Sequence, residues 1–209
     1  MREVGIVGVG HTKFGKTDQD FLTMLGEAAL LCLDDAGVAP GPGAGIDQVL
    51  VASMGGGMVN RISASASALV DTLHLCPAMA ECVENGPASG ASAVKLGYMA
   101  IASGMCDCVL VVGGEKMNGK GGAAATDFVS TMLHPEAEYA YGLTLTAFVA
   151  MFTRLIMEKY GVTAEDMARV AVKNHENAMH NPDAQLHKRV TLKELTEGPD
   201  LERKNPLVA

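Results

Sequence analysis

The chain has 209 residues, 48% of them apolar and only 4% aromatic, with 24 Gly and no Trp. That length suffices for one large core, or a core with an inserted subdomain, and the small side chains favour closely packed helices and strands. A formal net charge of −8 without any Lys/Arg run argues against a nucleic-acid partner, and five Cys in mostly apolar contexts fit reduced thiols in the cytoplasm better than a disulfide framework.

Val4 to Val9 is an apolar run ending in Gly10, expected as a buried first strand rather than a signal peptide. Gly8 and Gly10 form only part of a Gly-x-Gly-x-x-Gly pattern, with no acidic residue placed for a ribose, so a dinucleotide site is rejected. Phe21 to Ala36 has helical spacing, with Leu22, Leu25, Ala29, Cys32 and Leu33 on one face, Asp20 as N-cap and Gly37 as C-cap. Pro40-Gly41-Pro42-Gly43 is a flexible connector. Ile46 to Ala52 is the second strand, followed by the Gly55-Gly56-Gly57 loop and a small-residue helix over Ser63 to Leu73. No apolar run anywhere reaches the length of a membrane span.

The stretch Glu84 to Ala93 organises the chain. Before it, Ala78 to Val83 reads as a buried strand; after it, Ala88 to Ser103 reads as a buried helix with Pro87 at the first helical position, where a missing N–H costs nothing. A tight strand-to-helix turn aims free N–H groups and the positive dipole end at whatever lies in front, an arrangement enzymes use to present a nucleophile and stabilise an anion. The same turn also suits a tightly packed central helix without chemistry. Cys108 to Val112 is a further strand, ending in Gly113-Gly114-Glu115-Lys116-Met117; Cys106-x-Cys108 is too short for the usual metal pair, so no metal site is expected.

Between Asn118 and about Gly142 the periodicity is lost, and the stretch reads as a loop excursion of the kind that forms lids or ligand-facing surfaces. Thr144 to Tyr160 is helical, with Phe148, Met151, Phe152, Leu155 and Ile156 on its apolar face. Thr163 N-caps a helix from Ala164 to about Met179, ended by Asn181-Pro182, and a last short helix starts at Thr191. Strands alternating with helices imply right-handed crossovers and a mostly parallel sheet with helices on both faces.

Five motifs, in order along the whole chain, carry a resemblance: Val7-Gly8-Val9-Gly10-His11-Thr12-Lys13-Phe14-Gly15, Glu84-Asn85-Gly86-Pro87-Ala88-Ser89-Gly90, Gly113 to Met117, Tyr141-Gly142-Leu143-Thr144, and Lys173-Asn174-His175 followed by Asn181-Pro182. The chain resembles the N-terminal half of a thiolase, in the branch of sterol-carrier-protein-X and archaeal acetoacetyl-CoA thiolases. The resemblance implies a layered α-β-α fold with a mostly parallel five-stranded sheet. It also implies a core over residues 1–117, a loop subdomain over 118–190 that covers coenzyme A, and a return segment over 191–209. Coenzyme A or acyl-CoA is then a substrate rather than a covalently bound cofactor. Gly86, Lys116, Tyr141, Gly142, Thr144 and Arg154 are its candidate contacts, with Lys120, Lys173, Lys188 and Arg189 as further phosphate candidates.

The departures from the family pattern bear on function. Where the family has a Cys nucleophile at the helix N-terminus, this chain has Pro87, which carries no nucleophilic atom. Ser89 is the nearest hydroxyl, with no base beside it in sequence, while Cys82 and Cys76 read as core packing. The Gly-His-Pro histidine, second Cys and oxyanion-hole Asn of the family's C-terminal half do not occur. His175 is a candidate replacement base, with a helix or coenzyme-loop contact as its alternative; His134 and His11 are weaker.

Three readings compete: an acyl-CoA acyltransferase (Claisen condensation or thiolysis) that needs a partner carrying the C-terminal half; a thiolase-like carbon–carbon lyase in which Tyr139 or Tyr141 moves the proton; and a non-catalytic coenzyme-binding subunit. The helix from Ala88 to Ser103 is apolar nearly all round, with Lys95 as its only charge, so it needs cover on every side. A homo-oligomer, dimer or higher, is therefore expected, with the resemblance adding a possible OB-fold and zinc-ribbon subunit.

Overall fold

The computed structural model describes residues 2–117 and 121–197. It forms two compact units, Met1–Gly121 and Gly122–Ala209. The first unit is built as α1 (Phe21–Asp35), β1 (Gln48–Ala52), α2 (Ser65–Thr72), β2 (Met79–Val83), α3 (Ser89–Ser103) and β3 (Val109–Gly113). The strands form one parallel sheet in the order β2-β1-β3. All five residues of β1 are buried, as a near-continuous apolar run flanked by strands and covered on both faces should be.

The layers follow from the connections. The step from β1 to β2 runs one way across the sheet and the step from β2 to β3 runs back. Since each crossover is right-handed, the reversal puts α2 on one face and α3 on the other. On the first face Leu25, Ala29 and Leu33 of α1 and Leu69 and Val70 of α2 pack with Val49, Val51, Leu110 and Val112. On the second, Ala93 of α3 packs with Leu50, Ala52 and Val83. Gly97 lets α3 come close: a Cβ there would lie 3.3 Å from Val111 Cγ2. The result is the α-β-α layering that the resemblance implies.

Three elements differ from expectation. The sheet has three strands rather than five among the described residues. Val4 to Val9 is not a strand. It lies along α1, with Gly8 and Gly10 against the helix backbone, and the N–H of Val9 donates to Asp35 Oδ2 at 2.8 Å. Apolar extended character does not make a strand without a ladder partner, and the run lies against α1 rather than along an edge of the sheet; Ile6 and Val7 remain 84% and 73% exposed. β2 is also not the buried strand its composition suggests. It is a sheet edge, and Met79, Glu81 and Cys82 are exposed.

The second unit holds α4 (Gly122–Ser130), a 3-10 turn at Tyr139–Tyr141, α5 (Leu145–Tyr160), α6 (Ala164–Ala178) and α7 (Leu192–Thr196). The expected loop excursion is therefore partly helical, since Ala123, Ala124 and Ala125 are strong helix formers and Phe128 gives the helix something to bury. Thr163 and Thr191 each complete a reciprocal capping box, with Asp166 and Glu194 respectively. Among the described residues no helix is long and apolar enough to cross a membrane.

Candidate functional site at the carboxyl ends of the strands

Because the three strands are parallel and in register, Ala52, Val83 and Gly113 end at the same edge of the sheet. The loop Ser53–Gly57, the turn Asn85–Ala88 and the segment Gly114–Met117 all leave from that edge. In open α/β sheets this is where ligands bind.

The turn is held from within. Gly86 takes a left-handed conformation, φ +53°, open to glycine at little cost. The Ser89 hydroxyl donates to the Gly86 carbonyl at 2.6 Å and accepts from the Asn85 N–H at 2.8 Å. The Asn85 side-chain amide donates to Ser92 Oγ at 2.9 Å. Ser89, buried and committed to the turn's own backbone, staples the strand to the helix. Pro87 is exposed and stands before the helix rather than at its first position, because α3 begins at Ser89 with Ala88 as its N-cap. The N–H groups of Ala88 and Ser89 close back onto the Asn85 and Gly86 carbonyls, so these two are not offered to a ligand.

Glu115 is a site residue that sequence reasoning missed. Its carboxylate accepts from the Ser53 hydroxyl at 3.0 Å, from the Gly55 N–H at 3.1 Å, and from the Met54 N–H. It thereby fixes the loop after β1 from the end of β3. The glycine loops at 55–57 and 113–114 hint at such an approach, but only the strand order brings the two together. Lys116 does not reach the turn: its ammonium donates to the Thr17 carbonyl and anchors the segment before α1.

Beside the turn, Cys82 lines a cavity of about 180 Å³ with Ser53, Ser63, Ser65 and Glu84. Its sulfur lies 3.4 Å from Ser65 Oγ and 3.5 Å from the Ala66 amide nitrogen at the start of α2. Cys82 and Cys76 are both exposed, which corrects their expected place in the core. Cys32, Cys106 and Cys108 are more enclosed, and burial pushes each of those thiols up from its ordinary pKa.

In the second unit the remaining candidates occupy separate places. Thr144 is the N-cap of α5, its hydroxyl accepting from the Ala147 N–H. Gly142 closes the 3-10 turn at φ +83°, and Tyr141 is almost fully exposed. The Tyr139 hydroxyl donates to the Asp127 carboxylate, and that bond raises its pKa, keeping it a phenol. Arg154 is exposed on α5. His175, half-buried on α6, donates from Nδ1 to the Lys188 carbonyl at 2.6 Å, and Arg189 pairs with Glu176 through two nitrogens. His175 thus ties the segment after α6 back onto that helix, and Arg189 is engaged by a carboxylate. His134 Nδ1 accepts from the Glu136 and Ala137 N–H groups, a local turn cap. Lys120 lies outside the described residues. Among those described, no group of three or more His, Cys, Asp or Glu stands ready to hold a metal ion.

Residues 4–197 match the family model described as thiolase, N-terminal domain. The chain is 38% identical over 196 residues to an acetyl-CoA acetyltransferase of Methanothermobacter thermautotrophicus, covering 93% of this chain and 50% of that protein. It is 31% identical over 210 residues to sterol carrier protein 2 of Gallus gallus, covering 94% and 37%. Among solved structures, the Ltp2-ChsH2(DUF35) aldolase superposes with a TM-score of 0.71 at 24% identity, covering 92% of this chain and 48% of that one. The chain spans about half the length or less of the curated relatives it matches. The ordered motifs, the α-β-α layers and the family match agree: the chain belongs to the thiolase family and carries its N-terminal domain.

Proposed function

We propose that the protein is an acyl-CoA-handling enzyme of the acetyl-CoA acetyltransferase type in which the acyl acceptor has left the turn. The observation that carries this reading is the turn itself. Its backbone is held rigid by Ser89 and Asn85 at the carboxyl edge of the sheet, as a site for a reacting thioester requires, yet Pro87 presents no nucleophile there. The likeness to an archaeal acetyl-CoA acetyltransferase supports the same class. In this reading residues 118–187 bind the pantetheine and nucleotide ends of coenzyme A, with Tyr141, Gly142, Thr144 and Arg154 as contacts. The base and oxyanion-hole groups come from a thiolase C-terminal half, in whichever polypeptide carries it.

The pair Tyr139–Asp127 favours a second reading. A phenol held against a carboxylate is a proton-transfer pair, and a carbon–carbon lyase needs no acyl-enzyme. The aldolase neighbour joins Ltp2 to ChsH2(DUF35), and a DUF35 chain is then the natural candidate for an auxiliary subunit.

Incubation of the full protein with acetyl-CoA, followed by acid quench and mass spectrometry, separates the readings. A trapped acyl-enzyme supports the transferase. Retro-aldol cleavage of a β-hydroxyacyl-CoA without any acyl-enzyme, lost in Tyr139→Phe, supports the lyase. Calorimetry with coenzyme A should show binding that weakens with salt and drops several-fold in Arg154→Ala; no binding at any salt concentration sinks both.

A further inference from the structure

The turn lacks a sulfur, but the same edge of the sheet does not. Cys82, the next-to-last residue of β2, and Glu84, the first residue after it, stand two apart in the chain. Both line the cavity of about 180 Å³ beside the loop after β1. Ser53, Ser63 and Ser65 line it too; the Ser53 hydroxyl is held by Glu115, which leaves the Ser63 and Ser65 hydroxyls to meet an entering carbonyl beside the thiol. Cys82 is exposed, whereas Ser65 is only 3% exposed, with its Oγ 3.4 Å from the sulfur. The volume falls below the range of about 300–1,000 Å³ that holds drug-sized ligands. It therefore admits an acyl group of a few carbons and excludes a nucleotide.

We propose that this cavity receives the acyl group of a short-chain thioester and that Cys82 is its acceptor. The proposal rests on the acyltransferase reading and deepens it by naming the nucleophile. Cys82 Sγ forms a bond to the thioester carbonyl carbon, and the bond from that carbon to the donor's sulfur breaks. The Cys82 proton passes to the Glu84 carboxylate and from there to the departing thiolate. The products are S-acyl Cys82 and a free thiol, with no net oxidation or reduction. The Ser65 hydroxyl and the Ala66 N–H, both already at the sulfur, are donors available to the thiolate formed along the way. Of the other thiols, Cys32, Cys106 and Cys108 are more enclosed, and Cys76 does not line the cavity.

The test uses the full protein and two donors, acetyl-CoA and the acetyl thioester of a small simple thiol. Peptide mapping after acid quench should place one acetyl group, removable by hydroxylamine, on Cys82. Cys82→Ser, which keeps an acceptor for the Ala66 N–H, should abolish it, and Cys76→Ser should retain it. Glu84→Gln should slow loading at least tenfold while its melting temperature stays close to that of the parent. Acetylation by the small thioester without any coenzyme A binding supports the cavity and sinks the coenzyme reading. Coenzyme A binding with Cys82 unmodified by either donor overturns the proposal and leaves that reading standing. Equal labelling of Cys76 and Cys82, or loading unchanged in Glu84→Gln, also overturns it.

Discussion

Asp20 shows how much one side chain at a helix start does. Its carboxylate accepts from the Thr23 N–H at 2.9 Å and from the Thr23 hydroxyl at 3.0 Å, and the backbone bond, then the hydroxyl bond, hold its pKa below the ordinary value. A carboxylate stabilised in this way contributes stability above its unfolded pKa of about 3.9, and that contribution is lost as pH falls through the lower folded value. Asp20→Ala is expected to cost about 0.5–2 kcal/mol at neutral pH. Asp20→Asn, an equally good cap without the titration, should stay close to the parent at pH 7 and lose less on acidification between about pH 5 and 2. Denaturant melts of the three proteins across that range check both points; identical acid dependence of parent and Asn variant would contradict the assignment. The same scale explains why the turn reads differently in space than in sequence. Ser89 is the hydroxyl nearest the nucleophile position, yet it is the atom that holds the turn together.

At the scale of elements, the N-terminal run is the instructive case. Residues Val4 to Val9 have strand composition, but Gly8 and Gly10 commit the run to α1. A Cβ added at Gly8 would lie 2.5 Å from the Cys32 carbonyl oxygen, and one at Gly10 would lie 2.4 Å from the Cys32 nitrogen. Both obstacles are helix backbone, which cannot turn aside. Gly8→Ala or Gly10→Ala should therefore detach the run from α1, exposing the Val9 amide and the Asp35 carboxylate that now bond. Amide hydrogen exchange over residues 2–12 should rise markedly in either variant, while β1 and α3 keep their protection. Gly5→Ala is the control, since nothing lies within 4 Å of its Cβ. Unchanged exchange in the Gly10 variant would mean that the run is not held where it lies.

At the scale of the molecule, the decisive feature is α3. It gives Ala93, Gly97 and Ala102 to the interior, but Val94, Leu96, Tyr98 and Met99 remain exposed. Exposed apolar patches of this kind mark surfaces meant to be covered. A C-terminal thiolase half is the proposed cover, with homo-oligomerisation as a further layer. Val94→Asp with Met99→Asp should leave the melting temperature of this domain within a few degrees, because neither side chain packs in its core. The same pair should abolish association with the C-terminal half in sedimentation equilibrium. Full association of the doubly charged variant would place the partner elsewhere. α5 carries a similar unpaired stripe at Phe148, Met151, Phe152 and Leu155, all exposed. Its expected apolar face is thus real in sequence and unburied among the described residues.

What the sequence determined by itself was local and periodic. The spacing of Leu25, Ala29 and Leu33, the caps at Asp20 and Thr163, and the apolar runs at β1 and β3 each specify an element through contacts close along the chain. The ordered motifs specified the family. The tertiary structure decided what depends on partners far apart in sequence. It left Val4 to Val9 unpaired because a strand exists only where a neighbour accepts its hydrogen bonds. It made β2 an edge because strand order depends on where each connection returns the chain to the sheet and not on strand composition. It turned Glu115 into the clamp of the loop after β1, across 60 and more residues of chain. It also brought Cys82 out of the expected core and into a cavity with Glu84. The two stand only two residues apart where β2 gives way to the turn, but only the packing of α2 beside that edge encloses the space they line.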